Sequence, residues 1–228
     1  MGFPAKTATS PGLVALRRGL ASFALGVLAG ATMALADPLF LSSSAALSAA
    51  PSGQSSELAT VSVAARVERL ETTDGFHRVA LEGWARAGAS RVLFALPGKR
   101  ILVASIAKDQ VDTLEQTGEV VDADTGITWN RMRIEGWIPE AAAEPQIDPI
   151  WSAAWTFFTE RCTACHQRRV PDHYTANQWR SLIKVMGPRT GLPEEEQMLI
   201  LAFLQHHASD TIAQRPNTRT GAVIAPGR

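Results

Sequence analysis

Cysteine is almost absent from this chain. Two occur in 228 residues, Cys162 and Cys165, and both lie in one pentapeptide, Cys162-Thr163-Ala164-Cys165-His166. With both thiols committed there, no structural disulfide is available, and the core must come from packing and from whatever the pentapeptide holds. Net charge is absent as well: 22 basic side chains balance 22 acidic ones. That balance gives no general argument for nucleic-acid binding. Long internal repeats are missing. The segment Leu81-Glu82-Gly83-Trp84 recurs once as Ile134-Glu135-Gly136-Trp137, too few copies for a solenoid. The pair predicts a corner used twice, with glycine bending a strand and tryptophan filling the core.

What is present starts with an export pattern. Arg17 and Arg18 precede an uncharged apolar run over residues 19–36, and Ala34-Leu35-Ala36 offers a small-x-small cleavage site before Asp37. At about 18 residues the run is at the lower edge of a membrane span. Residues 1–36 therefore read as a cleaved signal peptide or as an anchor with the arginines on the cytoplasmic side. Either way the expected location is periplasmic, soluble or held at the inner membrane by residues 19–36.

Residues 37–57, rich in Ser, Ala, Gly and Pro, predict a flexible linker. Over residues 58–140 short β-type runs alternate with turn signals at Asp74-Gly75, Pro97-Gly98 and Asp124-Thr125-Gly126. Several short strands at close spacing predict a small β-barrel of SH3-like type, with His77 on its surface. From 148 to 210 the period turns helical. Asp148 can cap a helix with Pro149 at its first position, carrying Ile150, Trp151, Ala154, Trp155 and Phe158 into Cys162. Thr175 caps a second helix, with Trp179, Leu182, Ile183 and Met186 inward, and Gly187-Pro188 stops it. A third helix begins at Pro193 with three glutamates in its first turn. Residues 211–228 predict a disordered tail. The fold class is α+β: a small barrel followed by a short all-α domain.

The pentapeptide carries the chemistry. C-x-x-C-H is the attachment signature of a c-type haem. Two-residue spacing lets both thiols reach one edge of a porphyrin as thioethers, and His166 offers its imidazole to the iron as proximal ligand. A zinc site would need further matching ligands, and a thioredoxin-like pair would be expected near a βαβ pattern; neither is evident. One covalent haem c is the expected cofactor. For the distal iron position the candidate is Met186 at the end of the second helix, with His173, His206, His207 or an open position as alternatives and Met198 better suited to core packing. Pro171 offers a carbonyl to His166, Arg168 and Arg169 offer charge to propionates or a partner, and Trp179 offers an indole N–H to a propionate or a place in the core. Electron transfer fits a saturated site, which makes the protein a carrier and not an enzyme. A haem-based sensor or ligand-binding protein fits an open one.

Several strings are more specific than the haem motif. Leu81-Glu82-Gly83-Trp84, Pro97-Gly98-Lys99-Arg100-Ile101, Asp124-Thr125-Gly126-Ile127-Thr128-Trp129, Glu135-Gly136-Trp137, His173-Tyr174-Thr175-Ala176-Asn177-Gln178-Trp179 and Leu204-Gln205-His206-His207-Ala208-Ser209-Asp210 together resemble the C-terminal part of the multihaem cytochromes that serve trimethylamine-N-oxide and dimethyl-sulfoxide reductases. The resemblance implies a terminal haem that passes electrons to a periplasmic molybdenum-cofactor reductase in anaerobic respiration. Full-length members carry a tetrahaem quinol-oxidising module before this region, whereas these 228 residues contain one C-x-x-C-H. The expectation is a monohaem carrier fed by a separate membrane quinol-oxidising cytochrome or dehydrogenase.

Overall fold

A computed structural model describes residues 1–2, 37–164, 167 and 169–211. The expected leader over 19–36, Cys165, His166, Arg168 and residues 212–228 lie outside the described residues. Chain contacts separate two units, Met1–Ala34 and Leu35–Arg228, and the second is described below. Among the described residues no helix is long and apolar enough to cross a membrane.

The unit opens with β strands, as the turn signals predict, but it opens earlier. β1 (Asp37–Leu41) and β2 (Ala45–Ser48) fall inside the expected linker, which corrects that reading. Leu39, Leu41 and Leu47 are fully buried in the barrel core. β3 (Glu57–Val61), β4 (Arg66–Thr73), β5 (Phe76–Arg86), β6 (Ala89–Leu96), β7 (Lys99–Ile106), β8 (Glu115–Val121), β9 (Thr128–Pro139) and β10 (Ala143–Glu144) follow. The barrel part thus runs past 140, to Glu144.

Six strands close a ring. β5 pairs with β6, β6 with β7, β7 with β3, β3 with β2, β2 with β9, and β9 returns to β5, all antiparallel. β4, β1 and β10 extend the sheet from the first half of β5, and β8 lies on the first half of β9. Closure works because β5 and β9 are long and pair along their whole length, from Phe76↔Pro139 to Arg86↔Trp129. Along its other edge each changes partner partway, β5 from β4 to β6 and β9 from β8 to β2.

The duplicated Glu-Gly-Trp segments sit at those two changes of partner. A Cβ on Gly83 would lie 2.9 Å from Leu93 Cβ on β6, and one on Gly136 would lie 2.7 Å from Leu47 Cγ and 2.9 Å from the Ser48 carbonyl on β2. Each glycine lets the incoming strand touch the backbone. The tryptophans do not fill the core. Side chains alternate along a strand, so with Leu81, Gly83 and Ala85 facing inward, Trp84 faces out and is half-buried, as is Trp137. Their outer face carries an ionic ladder: Arg78–Glu135 at 2.8 Å, Arg133–Glu135 at 2.9 Å, Arg133–Glu82 at 3.6 Å, and Arg131–Glu82. His77 is also not a surface residue. It is 5% exposed, with Nδ1 2.8 Å from the Thr72 hydroxyl, and burial, with Arg69 adding to it against Glu140, lowers its pKa.

The helices follow the predicted order. In α1 (Asp148–Arg161), Asp148 is the first helical residue and not the cap; Ile150, Ala154 and Phe158 are buried. α2 (Ala176–Met186) has a full capping box between Thr175 and Gln178. A 3₁₀ turn over Gly187–Thr190 and left-handed Gly191 lead to Pro193 and α3 (Glu194–His206). Order extends past 210: Thr211, expected in the tail, is 4% exposed and donates its hydroxyl to the Gln205 carbonyl at 2.8 Å. The two parts share a core in which Val63, Ala64 and Ile101 of the barrel pack with the helices.

Polar bonds fix that junction. The Arg100 N–H donates to Asn177 Oδ1 at 2.8 Å, and Asn177 Nδ2 donates to the Gly98 carbonyl at 2.9 Å. Lys99 Nζ reaches Asp210 at 2.7 Å, while the other Asp210 oxygen accepts from the Ala176 N–H at 2.8 Å. Burial raises the Asp210 pKa, but Lys99 and the Ala176 amide outweigh it and hold the carboxyl below its ordinary range.

Candidate functional site

α1 carries the chain to Cys162, whose N–H donates to the Phe158 carbonyl at 3.2 Å as the helix ends. The helix is anchored by aromatic packing: Trp151 and Trp155 each lie 5.8 Å from Phe203 of α3, and Phe158 lies edge-on to Trp179 of α2. This three-helix contact sets where the first thiol of the motif emerges. Cys165 and His166 lie outside the described residues.

Cys162 opens onto a recess of about 230 Å³, including its open mouth, lined also by Ile183, Met186, Gly187, Thr190, Gln197 and Ile200. The wall's polar groups are turned on each other. The Thr190 hydroxyl donates to the Gly187 carbonyl at 2.6 Å, and the Gln197 amide donates to the Leu192 carbonyl at 2.7 Å. What remains facing the recess is apolar. Burial pushes the Cys162 thiol up, so at neutral pH it is a protonated thiol, unlike the low-pKa thiolate of a redox pair. Gly187 leaves room here for the Gln197 side-chain amide, which a Cβ would push aside.

Among the described residues, the recess brings Cys162 and Met186 together and leaves Met198, His173, His206 and His207 elsewhere. Met198 packs with the helical core and does not line it. His206 and His207 pack on Trp151, with ring centroids at 5.4 and 5.6 Å, and His207 Nδ1 is 2.7 Å from the Phe203 carbonyl. Trp151 is eleven residues before Cys162 on α1, about 16 Å along the axis, so both histidines sit at the opposite end. His173 is exposed in a 3₁₀ turn over Pro171–His173. Trp179 is 1% exposed and gives its indole N–H to the Pro171 carbonyl at 2.7 Å; it is a core residue whose one donor is already taken. That bond occupies one lone pair of the carbonyl expected to serve His166. Ile183, Thr190, Gln197 and Ile200 carried no site signal in the sequence beyond helical periodicity.

Residues 35–143 match the family described as the TorC third cytochrome c domain. The cytochrome c-type protein TorC of Escherichia coli (strain K12) is 36% identical over 152 residues, 65% of this chain and 38% of that protein. The cytochrome c-type protein TorY of Escherichia coli O157:H7 is 28% identical over 155 residues, 68% of this chain and 42% of that protein. TorY of Haemophilus influenzae is 28% identical over 134 residues, 59% and 36% of the two chains. The chain therefore spans about two fifths of the length of these curated relatives. No solved structure matches. The family match coincides with the barrel and contains no cysteine, since both cysteines come after it; the barrel by itself has no means of covalent haem attachment.

Proposed function

We propose that this chain, which matches the TorC third cytochrome c domain over residues 35–143 and is 36% identical to TorC over 152 residues, is an exported monohaem c-type cytochrome that carries electrons in the periplasm, related to the C-terminal region of the multihaem cytochromes that serve trimethylamine-N-oxide reductases. The observation that carries the reading is the shared recess: Cys162 of the attachment motif and Met186 line one apolar hollow at the joined ends of α1 and α2. The donor set fits the group. Haem c, when bound, supplies one iron that gains and loses a single electron.

The chain's residues do the rest. Cys162 and Cys165 would hold the group covalently, and His166 would be one ligand of its iron. Met186 would be the other ligand, and its thioether has no proton to lose, so its donor strength would not vary with pH. Ile183 and Ile200 exclude water, which keeps the surroundings from reorganising as charge changes. The recess is smaller than the roughly 300–1,000 Å³ typical of ligand pockets. Its walls must part to admit a tetrapyrrole, so attachment and final packing of α2 and α3 are one process.

The upstream donor is a membrane quinol-oxidising cytochrome or a dehydrogenase, and the acceptor is a molybdenum-cofactor reductase acting on N-oxides or S-oxides. Residues 19–36 direct export or anchor the protein. The barrel holds the haem part in a fixed orientation through the 98–101, 176–177 and 205–210 contacts. The test is electron transfer in a reconstituted periplasmic extract: reduced protein should be reoxidised by trimethylamine N-oxide only when its reductase is present. Reoxidation that is independent of the reductase would reject that assignment.

A further inference from the structure

The chain is neutral overall, but its charges are segregated. Residues 161–189 contain six basic side chains and one acidic, whereas residues 109–124 contain six acidic side chains and no Lys or Arg. In the barrel five arginines, Arg66, Arg69, Arg78, Arg131 and Arg133, each have a carboxylate within 4 Å, while Arg86, Arg91, Arg100 and Lys108 have no ion-pair partner among the described residues and are spread over separate strands and turns. Around the recess the unpaired cations are concentrated. Arg161 ends α1, Arg180 and Lys184 lie one turn apart on the solvent side of α2, Arg189 sits in the turn after Met186, and Arg169 precedes the 3₁₀ turn. All five are exposed, and among the described residues none has an ion-pair partner. Two exposed valines lie among them, Val170 at 40% and Val185 at 59%.

We infer that this basic face, from Arg161 through Arg169, Arg180 and Lys184 to Arg189 with Val170 and Val185 within it, is the docking surface for an acidic face of the redox partner protein. The inference rests on the haem reading above. Unpaired exposed cations keep their field for an outside partner, and a local field steers association even when the net charge is zero. The valines supply the dry contact that lets two proteins meet closely where the haem lies. The acidic stretch over residues 109–124, which includes β8, repels a like-charged partner and so disfavours the wrong approach.

The test uses the full-length ferrous protein and two small oxidants of opposite charge. Each accepts one electron: hexacyanoferrate(III) becomes hexacyanoferrate(II), and tris(phenanthroline)cobalt(III) becomes the cobalt(II) complex. Raising ionic strength from about 0.01 to about 0.1 M should slow oxidation by the anion by roughly threefold or more and leave the cation unslowed or faster. Poly-L-glutamate, as an acidic polypeptide surface, should protect against the anion. Lys184→Glu with Arg189→Glu should remove both effects. Glu115→Lys with Glu119→Lys, on β8, should preserve them. Equal salt dependence for the two oxidants, or unchanged behaviour in the Lys184/Arg189 variant, overturns the inference while the haem absorption still stands. Binding to phosphatidylglycerol vesicles at about 0.15 M salt that is lost in that variant would also overturn it, by assigning the face to lipid. Absence of covalent haem would instead defeat the underlying reading.

Discussion

The side-chain amide of Gln205, 2% exposed on α3, donates to the backbone carbonyl of Arg100 on β7 at 3.0 Å. The same nitrogen donates to the Ala176 carbonyl at 2.9 Å. One buried amide thus ties the barrel to two helices. Gln205→Leu keeps the volume and strands both carbonyls, a loss of roughly 1–3 kcal/mol. Urea unfolding followed separately by barrel and haem signals should change from one transition to two. A single transition at the wild-type midpoint would mean the parts are held together elsewhere.

Strand approach at the duplicated glycines is the second point to probe. Gly136→Ala and Gly83→Ala should each destabilise the barrel by about 1–3 kcal/mol. Gly136 should be the worse, because a backbone carbonyl stands 2.9 Å from the new Cβ. Gly118→Ala, whose Cβ would meet only Arg131 Cβ at 3.6 Å, should be nearly neutral. Equal losses at all three would show that close approach is not what these glycines provide.

Acid should destabilise the protein in two stages. The folded His77 pKa lies below its ordinary 6.5 because of burial, so between the two values the unfolded chain binds the extra proton and stability falls as pH drops below about 6.5. Asp210 is also lowered, from 3.8. Its contribution is present above that value and is lost as pH falls through the folded pKa. Urea midpoints measured against pH should show both steps, with His77→Gln removing the first and Asp210→Asn reducing the second, to which the lowered Glu135 also contributes.

Met186→Ala should erase the weak red-edge sulfur–iron band of the ferric spectrum, open the haem to carbon monoxide and lower the midpoint potential. Met198→Ala, at a half-buried position, should leave the spectrum intact and cost less than the about 2–5 kcal/mol of a fully buried Met→Ala. An unchanged Met186→Ala spectrum would return His173, His206 and His207 to consideration.

The helical part was legible almost residue by residue. Its signals are local: Thr175 with Gln178, Gly187-Pro188 and the glutamates after Pro193 mark helix ends without tertiary help. The barrel was legible as a class, because turn dipeptides and alternation are local too. Its start was not. Leu39 and Leu41 lie on a strand paired with β4 and β10, and Leu47 on one paired with β3 and β9, so most of what buries them lies beyond residues 37–57 and no composition window there contains that information. Trp84 and Trp137 were misplaced because size suggested core while strand parity, set by ring closure, decided outward. The specific strings behind the family resemblance had a different meaning from ligation: Gly98 to Arg100, Asn177, Gln205 and Asp210 hold the two parts together. Met186 was reachable from helix phase alone, but its pairing with Cys162 in one recess required the fold.

The most direct test of the central claim is the intact mass of protein matured in cells with c-type haem assembly. The account predicts one covalent haem per chain under denaturing conditions, and none in Cys162→Ala with Cys165→Ala. A mass equal to the bare polypeptide in the wild-type protein, or covalent haem surviving in the double variant, would contradict it.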